Sequence, residues 1–237
     1  MIEKENQMFT ASSNKDDTIL FGHNEQIAFL LNCIRTNQIP NAWLFHGPVG
    51  IGKASLALNV AKVLSNNSVS KKDSLSHLSE KDIRNSYSSI RVNNIFICKR
   101  KWDDKKKHFQ KNISIDDIRE LSRKFYLSST DYSYKVCIVD TTEDLNISAS
   151  NSLLKILEEP PKNTLFILVS NNKQSIMPTI LSRCQKIGFQ RLNEDDLRNI
   201  STGLFQENHF DQLKRAGALT ICDGSVKKLL NFLDKDY

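Results

Sequence analysis

Apolar residues along this chain switch between two spacings. From Asn24 to Asn37, Ile27, Leu30, Leu31 and Ile34 fall at i, i+3, i+4 and i+7, which places them on one face of a helix. Ala42-Trp43-Leu44-Phe45-His46 is instead a short, nearly unbroken apolar run and reads as a buried strand. Helical spacing returns over Ser55 to Leu64, with Leu56, Ala57, Val60, Ala61 and Leu64 recurring. Three more short apolar runs, Ile95-Phe96-Ile97, Lys135 to Asp140 and Thr164 to Val169, are rich in β-branched and aromatic residues and read as strands. Helices are predicted between them. One opens on a capping box of Ser114 and Asp117, with Asp in place of the usual Glu, and carries Ile115, Ile118, Leu121 and Phe125. Another carries Asn151, Leu153, Leu154 and Leu157 and is stopped by Pro160-Pro161. Strands apolar along their length and separated by helices predict an α/β fold, its parallel sheet covered on both faces.

The remaining segments are more polar. Residues 1–18 read as a loose tail. Ser65 to Asn94 is rich in Ser, Asn and Lys and reads as a poorly packed surface excursion with a short helix near Ser79 to Ser86. Toward the C-terminus, Asn193 with Asp196 caps a helix bearing Leu197, Ile200 and Leu204, and two further helices are predicted over residues 210–218 and 225–233. The division expected is a nucleotide-binding-type domain over 19–190 and a helical domain over 191–237. With 237 residues, 39% of them hydrophobic and 25% charged, the composition is that of a globular chain. No apolar run reaches membrane-spanning length and the N-terminus has no signal-like core, so a cytoplasmic location without membrane contact is expected. Cys33, Cys98, Cys137, Cys184 and Cys222 contain no C-x-x-C pair, which argues against a disulfide framework and a zinc site and for buried thiols.

Three clusters carry candidate chemistry. Gly47-Pro48-Val49-Gly50-Ile51-Gly52-Lys53-Ala54 matches the phosphate-binding pattern G-x-x-x-x-G-K-[ST] at every position but the last. In such a loop Gly47, Gly50 and Gly52 let backbone N–H groups face phosphates, Lys53 pairs with the β and γ phosphates, and a hydroxyl binds Mg²⁺; Ala54 has no hydroxyl. Ser55 lies about 100° further round the helix and is a poor substitute. Asp140, closing a buried strand downstream, occupies the usual metal-holding position, but Thr141 follows it where an acid commonly activates water, and Glu143 is displaced by three residues. The third cluster is basic: Lys99, Arg100, Lys101, Lys105, Lys106 and Lys107, around Trp102. It reads either as a nucleic-acid patch with Trp102 stacking on a base, or as a solvated hairpin tip interrupted by Asp103 and Asp104. The net charge of +6 permits an acidic partner without requiring one.

Four segments together resemble the bacterial DNA polymerase III clamp loader of the AAA+ family, in particular its delta-prime type: Gly47 to Ala54, Val139 to Asp144, Asn151 to Pro161 with its LLKILEEPP run, and Pro178 to Cys184 ending in Ser-Arg-Cys. The resemblance spans roughly Ile19 to Leu233. It implies a P-loop module with a five-stranded parallel sheet followed by a small helical lid. It also implies that Arg183 reaches the ATP site of a neighbouring subunit and acts catalytically in trans. A lid arginine that contacts nucleotide in relatives is replaced here by Lys227, which keeps the charge without the bidentate fork. The implied role is a subunit that does not hydrolyse ATP, requires no cofactor, and binds ATP or ADP weakly if at all. Its partners would be motor ATPase subunits, a delta subunit and, through the complex, the sliding clamp and primed DNA. An active motor ATPase of the gamma/tau type and a basic nucleic-acid-binding module are the alternatives. The zinc module of many relatives is not expected, since no cysteine lies between Cys33 and Cys98, nor is the C-terminal collar domain, since the sequence ends at Tyr237.

Overall fold

A computed structural model describes residues 20–65, 79–84, 94–127, 134–204, 217 and 221–233. The expected tail lies outside these residues, as does the helix expected over 210–218 apart from Gly217. In chain order the elements are α1 (Asn24–Arg35), β1 (Ala42–His46), α2 (Lys53–Ser65), α3 (Glu80–Arg84), β2 (Ile95–Cys98), β3 (Trp102–Asp103), β4 (His108–Phe109), α4 (Ile115–Leu127), β5 (Lys135–Asp140), α5 (Ile147–Glu158), β6 (Thr164–Ser170), α6 (Pro178–Leu181), β7 (Gln185–Gly188), α7 (Glu194–Leu204) and α8 (Val226–Leu233).

Five strands form one parallel sheet in the order β2-β5-β6-β1-β7. β6 lies at its centre and all seven of its residues are buried. Successive side chains of a strand point to opposite faces, so each strand feeds two cores. Trp43, Phe45, Val136, Ile138, Leu165 and Ile167 face α1 and α2 in one cluster, with Ile27, Ile34, Leu56 and Val60. Ala42, Leu44, Cys137, Val139, Phe166 and Leu168 face α4 and α5 in the other, with Ile118, Phe125, Leu153 and Leu157. That double burial is why the strands read as unbroken apolar runs. A smaller third cluster of Leu192, Leu197, Ile200, Cys222 and Leu229 joins α7 to α8.

Helix ends follow the local chemistry. Ser114 N donates to Asp117 Oδ2 at 2.8 Å and Asp117 N to Ser114 Oγ at 3.3 Å, the reciprocal capping box read from the sequence. Asn193 Oδ1 likewise accepts from Asp196 N at 2.7 Å. Asn146 caps α5, its Oδ1 accepting from Ala149 N at 2.7 Å. Asn146→Ala is therefore expected to destabilise the fold by about 1 kcal/mol, read as a lower urea midpoint with an unchanged slope.

Two departures from the sequence reading stand out. The stretch 79–84 is not a poorly packed excursion: Ile83 of α3 is fully buried in the first core. Arg84 donates to Leu20 O (2.9 Å), Gly22 O (3.2 Å) and Asn24 Oδ1 (2.6 Å), fixing the segment that enters α1. The fifth strand, β7, was not marked by any apolar run, because at this sheet edge only Ile187 of its four residues is buried. All five cysteines are buried and free. No helix among the described residues is long and apolar enough to cross a membrane.

Candidate functional site

β1 delivers the chain to the glycine-rich loop at the edge where the parallel strands end, and α2 begins at Lys53. Gly47 adopts φ 154°, and a Cβ there would run into the Phe189 carbonyl. Gly50 and Gly52 also have positive φ, 76° and 99°. Lys53, 4% exposed, folds back over its own loop. Its Nζ donates to Gly47 O (2.8 Å), to Pro48 O, and to Asn171 Oδ1 (3.0 Å) just past β6. The lysine that would grip phosphate thus bonds carbonyl and amide oxygens at the loop.

Acidic groups close the other side. Asp140 ends β5, and burial raises its carboxyl pKa against the opposing charges of Lys99 and Lys53. The residues after it form a 3-10 turn, Thr142–Asp144, which returns Glu143 to the site. Glu143 Oε1 accepts from Asn171 N at 2.8 Å, whereas its buried Oε2 has no hydrogen-bond partner among the described residues. Glu143 and Asp140 both favour the charged form of Lys53. Sequence spacing had set Glu143 aside; the tight turn explains why three residues of displacement do not remove it. A phosphate at this loop would have to meet the loop glycines and take Lys53 Nζ from Gly47 O, Pro48 O and Asn171 Oδ1. For a divalent ion the donors are Asp140 and the nearby Glu143, without a hydroxyl at position 54, and no group of three or more metal-ligating side chains occurs among the described residues.

Burial lowers the Lys53 pKa to about 8. An unfolded lysine titrates near about 10.4, so between these values the unfolded chain binds more protons and stability rises with pH. The Lys53 contribution is expected to be flat below pH 8 and to grow by at most about 3 kcal/mol on passing to about pH 10.5. Urea midpoints of wild type and Lys53→Met check this: across that window the difference between them should move in favour of wild type.

The helix carrying Lys227 is seated on the same loop. Lys227 N donates to Gly50 O at 3.1 Å and Ser225 Oγ to the same oxygen at 3.4 Å. A Cβ on Gly50 would run into Ser225 Oγ and stand 2.7 Å from Lys227 Cβ. The Lys227 side chain is exposed beside the loop. On the opposite flank His23 Nε2 contacts Ile51 O at 2.7 Å, and its ring meets Phe189 edge-on.

Arg183 is elsewhere. Trp43 pairs with Gln185 and His46 with Gly188, so only the far end of β7 is level with the loop. Gln185 to Gly188 alone spans about 10 Å along the strand, and Arg183 precedes Gln185, at the end where the strands begin. Its guanidinium donates from Nη2 to Glu158 Oε1 (2.7 Å) and from Nη1 to Thr179 O (2.9 Å) and Ser182 Oγ (3.4 Å), with the side chain 36% exposed. Gly47, Gly50, Gly52, Lys53, Asp140 and Lys227 therefore converge, and Arg183 stands apart from them.

The first half of the basic run, Lys99 to Lys101, is engaged within the chain. Arg100 pairs with Asp144 at 2.9 Å, and Lys101 with Asp117 (2.7 Å) and Glu120 (3.4 Å). Lys99 lies close enough to Asp140 to act on its charge. Lys105, Lys106 and Lys107 are the exposed tip of the β3-β4 hairpin, whose turn Asp103 holds by accepting from Lys105 N (3.0 Å) and Lys106 N (3.1 Å). Trp102 is half-buried, and its ring and that of Phe109 meet at a near-perpendicular angle with centroids 5.1 Å apart.

A family model described as DNA polymerase III, delta subunit, matches residues 22–193. The chain belongs to that family. Among curated relatives it is 30% identical over 212 residues to DNA polymerase III subunit tau of Bacillus subtilis, covering 87% of this chain and 35% of the relative. It is 26% identical over 230 residues to DNA polymerase III subunit gamma of Buchnera aphidicola from Schizaphis graminum, covering 91% and 56%. Replication factor C subunit 3 of Schizosaccharomyces pombe is 25% identical over 225 residues, covering 93% and 56%. The chain thus spans about a third to just over half the length of these relatives. A gamma-subunit-related protein of Thermotoga maritima aligns in structure with a TM-score of 0.48 at 20% identity, covering 73% of this chain and 49% of that one. RuvB of the same organism aligns with a TM-score of 0.48 at 15% identity, covering 84% and 52%. The fold is α/β, with five parallel strands in one sheet and the glycine-rich loop between β1 and α2.

In this delta-family chain sequence reasoning missed Asn171 and the role of Glu158, and it set Glu143 aside. Asn171 left a weak signal, the first of a polar pair one residue after the apolar run Leu165 to Val169. Glu143 required knowledge of the 3-10 turn. Glu158 carried a signal that went unread: it is an acid at the C-terminal end of a helix, where the backbone dipole favours cations.

Proposed function

We propose that the chain is a clamp-loader subunit of the delta-prime type, a stator that supplies Arg183 to a neighbouring ATPase subunit and does not itself hydrolyse ATP. The observation that carries this reading is the position of Arg183, half-exposed at the sheet end away from its own phosphate loop. An arginine so placed is out of reach of the nucleotide its own chain would bind and is presented to a partner. Ala54 and Thr141 support the same reading from the other side, since they deprive the loop of a metal-binding hydroxyl and of the carboxylate next to Asp140. The partners are gamma/tau-type motor subunits and a delta subunit in the cytoplasm, and the task is loading the sliding clamp onto primed DNA in replication. No cofactor of its own is required, and nucleotide binding at Gly47 to Lys53 is at most weak, because Lys53 is already held by Gly47 O, Pro48 O and Asn171.

The test is ATP turnover by motor subunits assembled with this chain. Turnover should depend on Arg183, and the chain alone should show none; turnover by the chain alone that is lost in Lys53→Ala would overturn the reading. That second outcome, a motor subunit, is favoured by one observation, the return of the Glu143 carboxylate to the neighbourhood of Lys53.

A further inference from the structure

We infer that Glu158 sheathes Arg183, holding the guanidinium within its own subunit until a neighbour's triphosphate displaces the carboxylate. The inference rests on the in-trans role of Arg183 proposed above and adds a control on its availability. Glu158 is the last residue of α5, and Glu159 follows it as the C-cap. The helix dipole makes this an unfavourable place for two acids. A sequence that breaks a local rule in this way commonly does so for a site, and here the Glu158 carboxylate receives Arg183 Nη2 at 2.7 Å.

The geometry makes the arrangement a restraint rather than a mere anchor. Nη1 is engaged by Thr179 O and Ser182 Oγ and Nη2 by Glu158, so both ends of the fork are turned onto the subunit's own oxygens. A carboxylate bound to the guanidinium also cancels the charge that a transferring phosphoryl group would draw on. The pair is exposed, 36% for Arg183 and 45% for Glu158. Exposed pairs are weak and exchange readily, so a multiply charged triphosphate can take the arginine over. The backbone oxygen of Thr179 keeps the arginine in place while the carboxylate yields.

The experiment measures ATP turnover of motor subunits assembled with the full chain bearing Glu158→Gln, Glu158→Asp, Arg183→Ala, or Glu158→Gln with Arg183→Ala. Glu158→Gln keeps the shape and removes the charge. It is expected to raise turnover about two- to fivefold, the range by which an exposed pair restrains its members. Glu158→Asp restores the charge and should fall back toward wild type. In the double variant the gain should vanish, because nothing is left to release. A merely structural role for the end of α5 would instead act equally with and without Arg183. Turnover that is unchanged or lower in Glu158→Gln, while Arg183→Ala abolishes it, overturns the sheath and leaves the stator standing. Turnover indifferent to Arg183→Ala overturns both.

Discussion

Arg183→Ala is expected to lower ATP turnover by the neighbouring motor subunit about 10³- to 10⁵-fold while leaving this subunit folded. The magnitude is that of removing an arginine supplied in trans to a phosphoryl-transfer site, about 4–7 kcal/mol of transition-state stabilisation. Little of the fold depends on the side chain. Its contacts are a carbonyl, a hydroxyl and an exposed carboxylate, and its neighbours Cys184 and Ile180, rather than the arginine, are what the second core buries. Stability should accordingly change by no more than about 1 kcal/mol. Arg183→Lys separates charge from geometry, since lysine supplies the point charge without the planar fork, and should recover only part of the rate. Steady-state turnover of the assembled subunits, with thermal unfolding of the isolated variant as control, checks the prediction. A loss smaller than about tenfold would remove the main support for the stator reading.

What could be read from the sequence was set by where each element's instructions reside. β1 and β5 were legible to the residue, Ala42–His46 and Lys135–Asp140, because a strand buried on both faces must be apolar throughout. The starts of α4 and α7 were legible because their caps are local, with donor and acceptor three positions apart. β7 was not, since an edge strand with one buried side chain leaves no pattern. α3 was visible only as a weak local signal, and its anchoring was not, because Arg84 bonds to oxygens 60 to 64 residues away. The site divides in the same way. The loop glycines and Lys53 are a local motif, whereas the contact of Lys53 with Asn171 joins positions 118 residues apart. The approach of Glu143 depends on a turn with no apolar signature. Local chemistry identified the parts, and only the sheet register showed that Arg183 faces away from the rest.

Gly47→Ala is expected to destabilise the protein by about 2–6 kcal/mol, whether or not nucleotide ever enters the loop. Two costs combine. An alanine must adopt φ 154°, a conformation that costs of order 1–3 kcal/mol for a residue with a Cβ. Its methyl group must also displace the Phe189 carbonyl, which is backbone and is fixed by the bond from Phe189 N to His46 O at 2.8 Å. Overpacking of that kind adds a further 1–3 kcal/mol or more. The consequence reaches beyond one glycine. Gly47 N is bonded to Ser170 O, Gly50 carries Ser225 and Lys227, and Lys53 ties the loop to Asn171, so the loop is the junction of β1, β6, β7 and the helix bearing Lys227. This junction holds α8 against the sheet whether or not nucleotide is hydrolysed, a structural demand for the loop glycines that is independent of the hydroxyl missing at position 54. Thermal unfolding without nucleotide discriminates the two roles. A large fall in Tm for Gly47→Ala marks the loop as architecture, and an unchanged Tm would mean that its glycines serve a ligand alone.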